Sequence, residues 1–116
     1  MTRAVQGFPA RLSQDLDPED LRSVLSVFRQ DVNRLTGVLD GTAAAGDSSS
    51  FRRACHSLAG AAGAVGATAL AQACRDAMAR AELSPAQLRV ARAEIRALGA
   101  AALDDMETFL AALPQG

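Results

Sequence analysis

Arg52-Arg53-Ala54-Cys55-His56-Ser57-Leu58-Ala59-Gly60-Ala61-Ala62-Gly63-Ala64-Val65-Gly66-Ala67-Thr68-Ala69-Leu70 is the segment around which the chain is organised. Residues three and four apart share one face of an α-helix. At that period Phe51, Cys55, Leu58, Ala62 and Val65 form an apolar stripe with core-facing spacing. His56, the only histidine of the chain, lies beside the stripe and not in it. Its face also carries Arg52, Arg53, Ala59, Gly60 and, one turn further, Gly63. Two cations precede the imidazole and almost no side-chain bulk comes after it. The segment reads as a helix with one side buried and an accessible, basic-flanked histidine on the other, ending near Val65-Gly66.

The same period extends in both directions. Asp17-Pro18-Glu19-Asp20 is a helix start, with a capping aspartate, proline in the first position and acids in the first turn. Leu21, Val24, Leu25, Phe28, Val32, Leu35 and Leu39 then recur as one stripe, which predicts a helix to about Ala45. Gly37 and Gly41 fall inside it, and each weakens it by about 1 kcal/mol relative to alanine, so a kink or an early end is expected there. Gly46-Asp47 reads as a stop followed by a new cap, and the helix that carries His56 begins near Ser48. Another helix is expected from Ala67 to about Leu83, with Leu70, Cys74 or Ala73, Ala77 and Ala81 inward. Ser84-Pro85 starts the last helix, which turns Leu88, Ile95, Leu98, Ala102, Met106, Phe109 and Leu113 inward and is closed by Pro114. Phe8, Leu12 and Leu16 at four-residue spacing suggest a short leading helix. The expectation is all-α: an antiparallel up-down-up-down four-helix bundle with a short additional N-terminal helix. Residues 1–116 form one domain in this reading, with the bundle core at about 18–113.

Composition agrees and narrows the function classes. The chain has 116 residues, 49% of them hydrophobic, with no Trp or Tyr. Alanine is abundant and β-branched residues are sparse, which favours helix over sheet. A net charge of −1 gives no basic field for bulk nucleic-acid binding. Two cysteines, one on the core stripe and the other far along the chain, make no disulfide framework, so a reducing cytosol is the expected setting. Met1 to Gly7 lacks the apolar run of a secretory signal. The weakly apolar run from Leu58 to Ala71 is interrupted by glycines and shorter than the roughly 20 residues a membrane span needs. A soluble, cytoplasmic, monomeric protein is expected.

His56 admits three readings. A lone helical histidine is most often a surface or half-buried residue. A metal site would need further His, Cys or carboxylate ligands at matching spacings, and none is evident. As a nucleophile, a histidine side chain, whose pKa in water is about 6.5, is largely unprotonated at neutral pH. The flanking arginines could then hold a phosphoryl group, and Gly60 would clear the approach of a partner. Arg75 and Arg80 are weaker candidates for the same charge. Ser57 cannot pair with His56, because adjacent helical residues point about 100° apart, so a hydrolase is poorly supported. The glycines at 60, 63 and 66 are no phosphate loop, since no Lys-Ser or Lys-Thr follows them.

His56-x-Leu58-x-Gly60, followed by Gly66-Ala67, Leu70 and Cys74, resembles the signature of histidine-containing phosphotransfer (HPt) domains. The resemblance implies a phosphocarrier and not an autonomous enzyme. His56 would be the phosphoacceptor, with Arg52, Arg53, Ala59, Gly60 and Gly63 on the phosphate- and partner-facing side. It implies response-regulator receiver domains and a sensor (hybrid) histidine kinase as partners, with Mg²⁺ supplied by the receiver and no cofactor or metal of its own. Two positions depart from the family pattern: Ala59 stands where lysine is usual, and Met78 where Glu or Gln is common. Those departures leave an alternative, a non-catalytic module that binds receivers or kinases without being phosphorylated.

Overall fold

A computed structural model of the protein describes residues 16–113. Four helices succeed one another: α1 Pro18–Ala45, α2 Ser48–Val65, α3 Thr68–Met78 and α4 Pro85–Ala112. Each packs against the next, and α4 closes the ring against α1. The architecture is the expected antiparallel four-helix bundle. The leading helix expected over residues 8–16 lies outside the described residues except for Leu16, which packs against the core. Pro114 lies outside them as well.

Local chemistry fixes the boundaries. Asp17 caps α1 by accepting the Asp20 N–H at 2.8 Å, and Pro18 opens the helix. Gly46 ends it with φ +69°, a left-handed conformation that glycine adopts without a Cβ clash. The Asp47 N–H then reaches back to the Thr42 carbonyl at 2.9 Å. Gly66 repeats the device after α2, with φ +83° and the Ala67 N–H donating to Ala62 O at 2.8 Å. Ser84 and Gln87 form a reciprocal capping box at the start of α4. Gly37 and Gly41 do not end α1, which runs unbroken for 28 residues; its buried stripe outweighs their propensity cost.

The expected third helix is too long by one turn. α3 stops at Met78, and Ala81, expected inward, is exposed. Leu83 is the cause. It leaves the helical path to bury itself in the core at 4% exposure, and its N–H donates to the Ser48 hydroxyl at 2.9 Å. That bond ties the α3–α4 connection to the start of α2.

The core is continuous. Leu21, Leu25, Phe28, Val32, Leu35 and Leu39 of α1 meet Phe51, Cys55, Leu58 and Ala62 of α2 and Leu88, Ile95 and Met106 of α4. Gly99 of α4 is also buried, a position the stripe pattern does not mark. A Cβ there would lie 3.3 Å from Val32 Cγ1, so at this glycine the α4 backbone comes close to an α1 side chain. Asp40 receives Arg92 and Arg96, and Arg29 pairs with Glu107, all between α1 and α4. These pairs are half-exposed and each contributes at most about 1 kcal/mol.

Candidate functional site

His56 sits two turns into α2 and is exposed. Its neighbours on α2, Phe51, Cys55 and Leu58, are completely buried. The helix is thereby anchored on one side while its other side presents the imidazole. Ser49, Arg52, Arg53, Ser57 and Met78 line a shallow depression with the ring. Among the described residues no carboxylate lines it.

The two arginines behave differently. Arg52 is half-buried, and its Nη2 donates at 3.0 Å to the Met78 carbonyl, at the end of α3. That carbonyl is one of the last four of a helix, which lack an intrahelical donor, so Arg52 caps α3 from α2. Its Nε is buried and has no hydrogen-bond partner among the described residues. Arg53 is exposed and rests on the Ser49 and Ser50 hydroxyls at 3.4 and 3.0 Å. The same Ser50 donates its N–H to Asp47, the N-cap of α2. Hydrogen bonds from Ser50, assisted by the Arg53 charge, hold the Asp47 carboxyl below its usual range.

Gly60 and Gly63 come after the ring along α2. A Cβ built on either meets nothing within 4 Å, so neither glycine is required by packing inside the chain. Both leave an open surface beside His56.

Ala59 departs from expectation. Helical spacing puts it on the histidine face, but only 7% of it is exposed and it belongs to the core. Ala54 is buried as well, so the apolar side of α2 is wider than the five-residue stripe and takes in position 59. Ala59 is therefore no part of a partner-facing surface. Arg75 and Arg80 do not line the His56 depression; Arg80 borders a separate groove between α3 and α4 with Asp76 and Glu94.

Three lining residues, Ser49, Ser57 and Met78, are not among the site residues expected from the sequence. Ser49 stands seven residues before His56, two full turns away, and helical spacing alone would have placed it on that face. Met78 comes from another helix, and only the α2–α3 pairing brings it in. The cations of the site are arginines of necessity, because all twelve basic residues of the chain are arginine.

A family model described as the Hpt domain matches residues 23–115. The chain belongs to the Hpt family. No curated protein and no solved structure matches it significantly. Hpt domains serve phosphotransfer in two-component signalling as phosphocarriers and not as classical enzymes, and they work with receiver domains and kinases. The helical bundle fits that family. Among the described residues no helix is long and apolar enough to cross a membrane, and no three His, Cys, Asp or Glu side chains gather where they could hold a metal ion.

Within this Hpt domain the geometry permits nucleophilic attack. The ring is open to a partner, guanidinium groups stand one turn before it, and small residues stand one turn after it. A planar guanidinium can donate two parallel hydrogen bonds to phosphate oxygens.

Proposed function

We propose that His56 is the phosphoacceptor of a phosphorelay intermediate. The observation that carries this reading is the exposed ring of His56 between Arg52 and Arg53 on one side and the unencumbered Gly60 and Gly63 on the other. The Nε2 lone pair attacks the phosphorus of a receiver aspartyl-phosphate, a nitrogen–phosphorus bond forms, and the bond to the aspartyl oxygen breaks. The carboxylate leaves with the receiver, and the proton on the other ring nitrogen stays in place until the phosphoryl group moves on. The transition state gathers charge on the three equatorial oxygens, so stabilisation is mainly electrostatic and positional. Arg53 is the arginine free to swing toward those oxygens, since it gives up only serine contacts. The partner contributes Mg²⁺ and most of the remaining apparatus. A second receiver aspartate takes the group in the reverse reaction.

The test is incubation with a phosphorylated receiver and a search for acid-labile, base-stable label on the protein. His56→Gln is expected to abolish the label and to change stability by no more than about 0.5 kcal/mol, the usual range for an exposed position. A non-catalytic receiver-binding module is the competing reading; the resemblance raises it because alanine stands at position 59 where the family usually has lysine, although that side chain lies in the core. Binding of the receiver without any label on the native protein would establish it instead.

A further inference from the structure

Cys55 and Cys74 are both free thiols with no exposed surface, and neither has a part in phosphotransfer. Although far apart in sequence, they face each other. The pairing of α2 with α3 is set by contacts at both ends. Ser48 meets Leu83 and Arg52 meets Met78 at one end, and the short Gly66-Ala67 turn joins the two helices at the other. At that antiparallel register position 55 of α2 stands opposite position 74 of α3. Cys74 donates toward Cys55, which, together with the nearby Arg52 charge, lowers the Cys55 pKa although burial opposes it. The same bond and burial push Cys74 up. Each sulfur also has an arginine charge near it, Arg52 by Cys55 and Arg75 by Cys74, so either can attack while the other resolves. Around them the helix interface is built of alanines: Ala59 and Ala62 on α2, Ala71, Ala73 and Ala77 on α3. Such small side chains let the backbones come close, as a disulfide requires.

We propose that Cys55 and Cys74 are a redox modification site that closes reversibly into a disulfide between α2 and α3, with Cys55 next to His56 in the chain. With a hydroperoxide as oxidant, one of the two sulfurs attacks a peroxide oxygen and the O–O bond breaks, leaving a sulfenic acid and, with the thiol proton, one molecule of water. The other sulfur then attacks the oxidised one, the S–O bond breaks, and a second water leaves. Two thiols and one peroxide become one disulfide and two waters, and a dithiol reverses the change. The bond would fix Met78, which lines the His56 depression from α3, relative to the ring on α2. Access comes through α3, which begins after Ala67 without a side-chain cap and is the shortest helix of the four. The proposal does not depend on phosphotransfer by His56, because its readout is covalent.

The experiment treats the full native chain with hydrogen peroxide, blocks remaining thiols with iodoacetamide after unfolding, and measures the intact mass. The expected result is loss of two hydrogens with no alkylation, a Cys55–Cys74 cross-linked peptide, and a higher Tm that returns to the reduced value with dithiothreitol. Cys74→Ala, when folded by circular dichroism, should show neither the mass loss nor the rise in Tm. Two alkylatable thiols after peroxide treatment, a disulfide-linked dimer, or sulfinic acid on both cysteines would each overturn the proposal. The native-chain arm decides the matter even where the variant does not fold.

Discussion

Gly60 offers the most direct test of how α2 presents its histidine. Its Cβ position is empty, so Gly60→Leu adds bulk one turn after the ring without disturbing the core. Helix propensity favours leucine by up to about 1 kcal/mol, and the variant should fold at least as well as the native chain while accepting phosphate more slowly. Slow transfer together with unfolding would mean that the glycine serves packing after all. The two arginines separate in the same way. Arg52 bonds the Met78 carbonyl, and Arg52→Ala leaves that helix end undonated, at an expected cost of about 1 kcal/mol. Among the described residues Arg53 hydrogen-bonds to serine hydroxyls and lends its charge to exposed Asp47, so Arg53→Ala should change stability by less than about 0.5 kcal/mol. Its effect belongs to the phosphorylated state: a solvent-screened contact of about 1 kcal/mol corresponds to a roughly fivefold loss in transfer rate. A transfer time course with unchanged rates in both variants would assign the positive charge to the partner. His56, both arginines and the two glycines were legible in the sequence because one helix carries them all. Ala59 was misplaced because alanine suits either side of a helix, so its identity carries no sign of burial.

Helix boundaries were legible wherever a capping residue announced them. Asp17, Gly46, Asp47, Gly66 and Ser84 each stand where their side chain or backbone freedom predicts. The end of α3 was not legible, because it is set by a tertiary event. Leu83 turns into the core, and its amide is taken by Ser48, while nothing in residues 79–83 marks a stop. Gly99 was missed for a related reason, since its importance lies in Val32 on another helix. Three glycines therefore test two different rules. Gly37→Ala and Gly41→Ala fill positions with nothing within 4 Å and should each stabilise by about 0.5–1 kcal/mol through propensity. Gly99→Ala gains the same propensity but presses a methyl against Val32, whose side chain is buried at 2% exposure and stiff about its first torsion. Overpacking of a filled core costs about 1–3 kcal/mol, so Gly99→Ala should show no gain and up to about 1 kcal/mol of loss. Urea midpoints of the three variants, compared at equal slope, decide it. A stabilised Gly99→Ala would show that α1 and α4 have room to separate.

The bundle is uneven, and its unevenness is concentrated where the site is. α1 and α4 have 28 residues each, α2 has 18 and α3 only 11. α1 buries Leu21, Leu25, Leu35 and Leu39 with Phe28 and Val32, whereas α3 buries Leu70, Cys74 and three alanines. Burial stabilises by about 25 cal/mol per Å² of apolar surface, so α3 is held by far less than α1. Its first turn has no side-chain cap, and its last carbonyl relies on Arg52 from α2. An isolated helix of this length is not stable in water. These facts predict that α3 opens below the global unfolding free energy, while α1 and α2 exchange only on global unfolding. Native-state hydrogen exchange of the full chain, followed in increasing denaturant, should place the α3 amides about 2 kcal/mol or more beneath those of α1. Leu70 is the principal anchor of α3, and Leu70→Ala should lower its protection further, by about 2–3 kcal/mol. Equal protection in all four helices would mean that α3 is released only with the whole molecule, and that the wall it provides beside His56 is as rigid as the rest of the bundle.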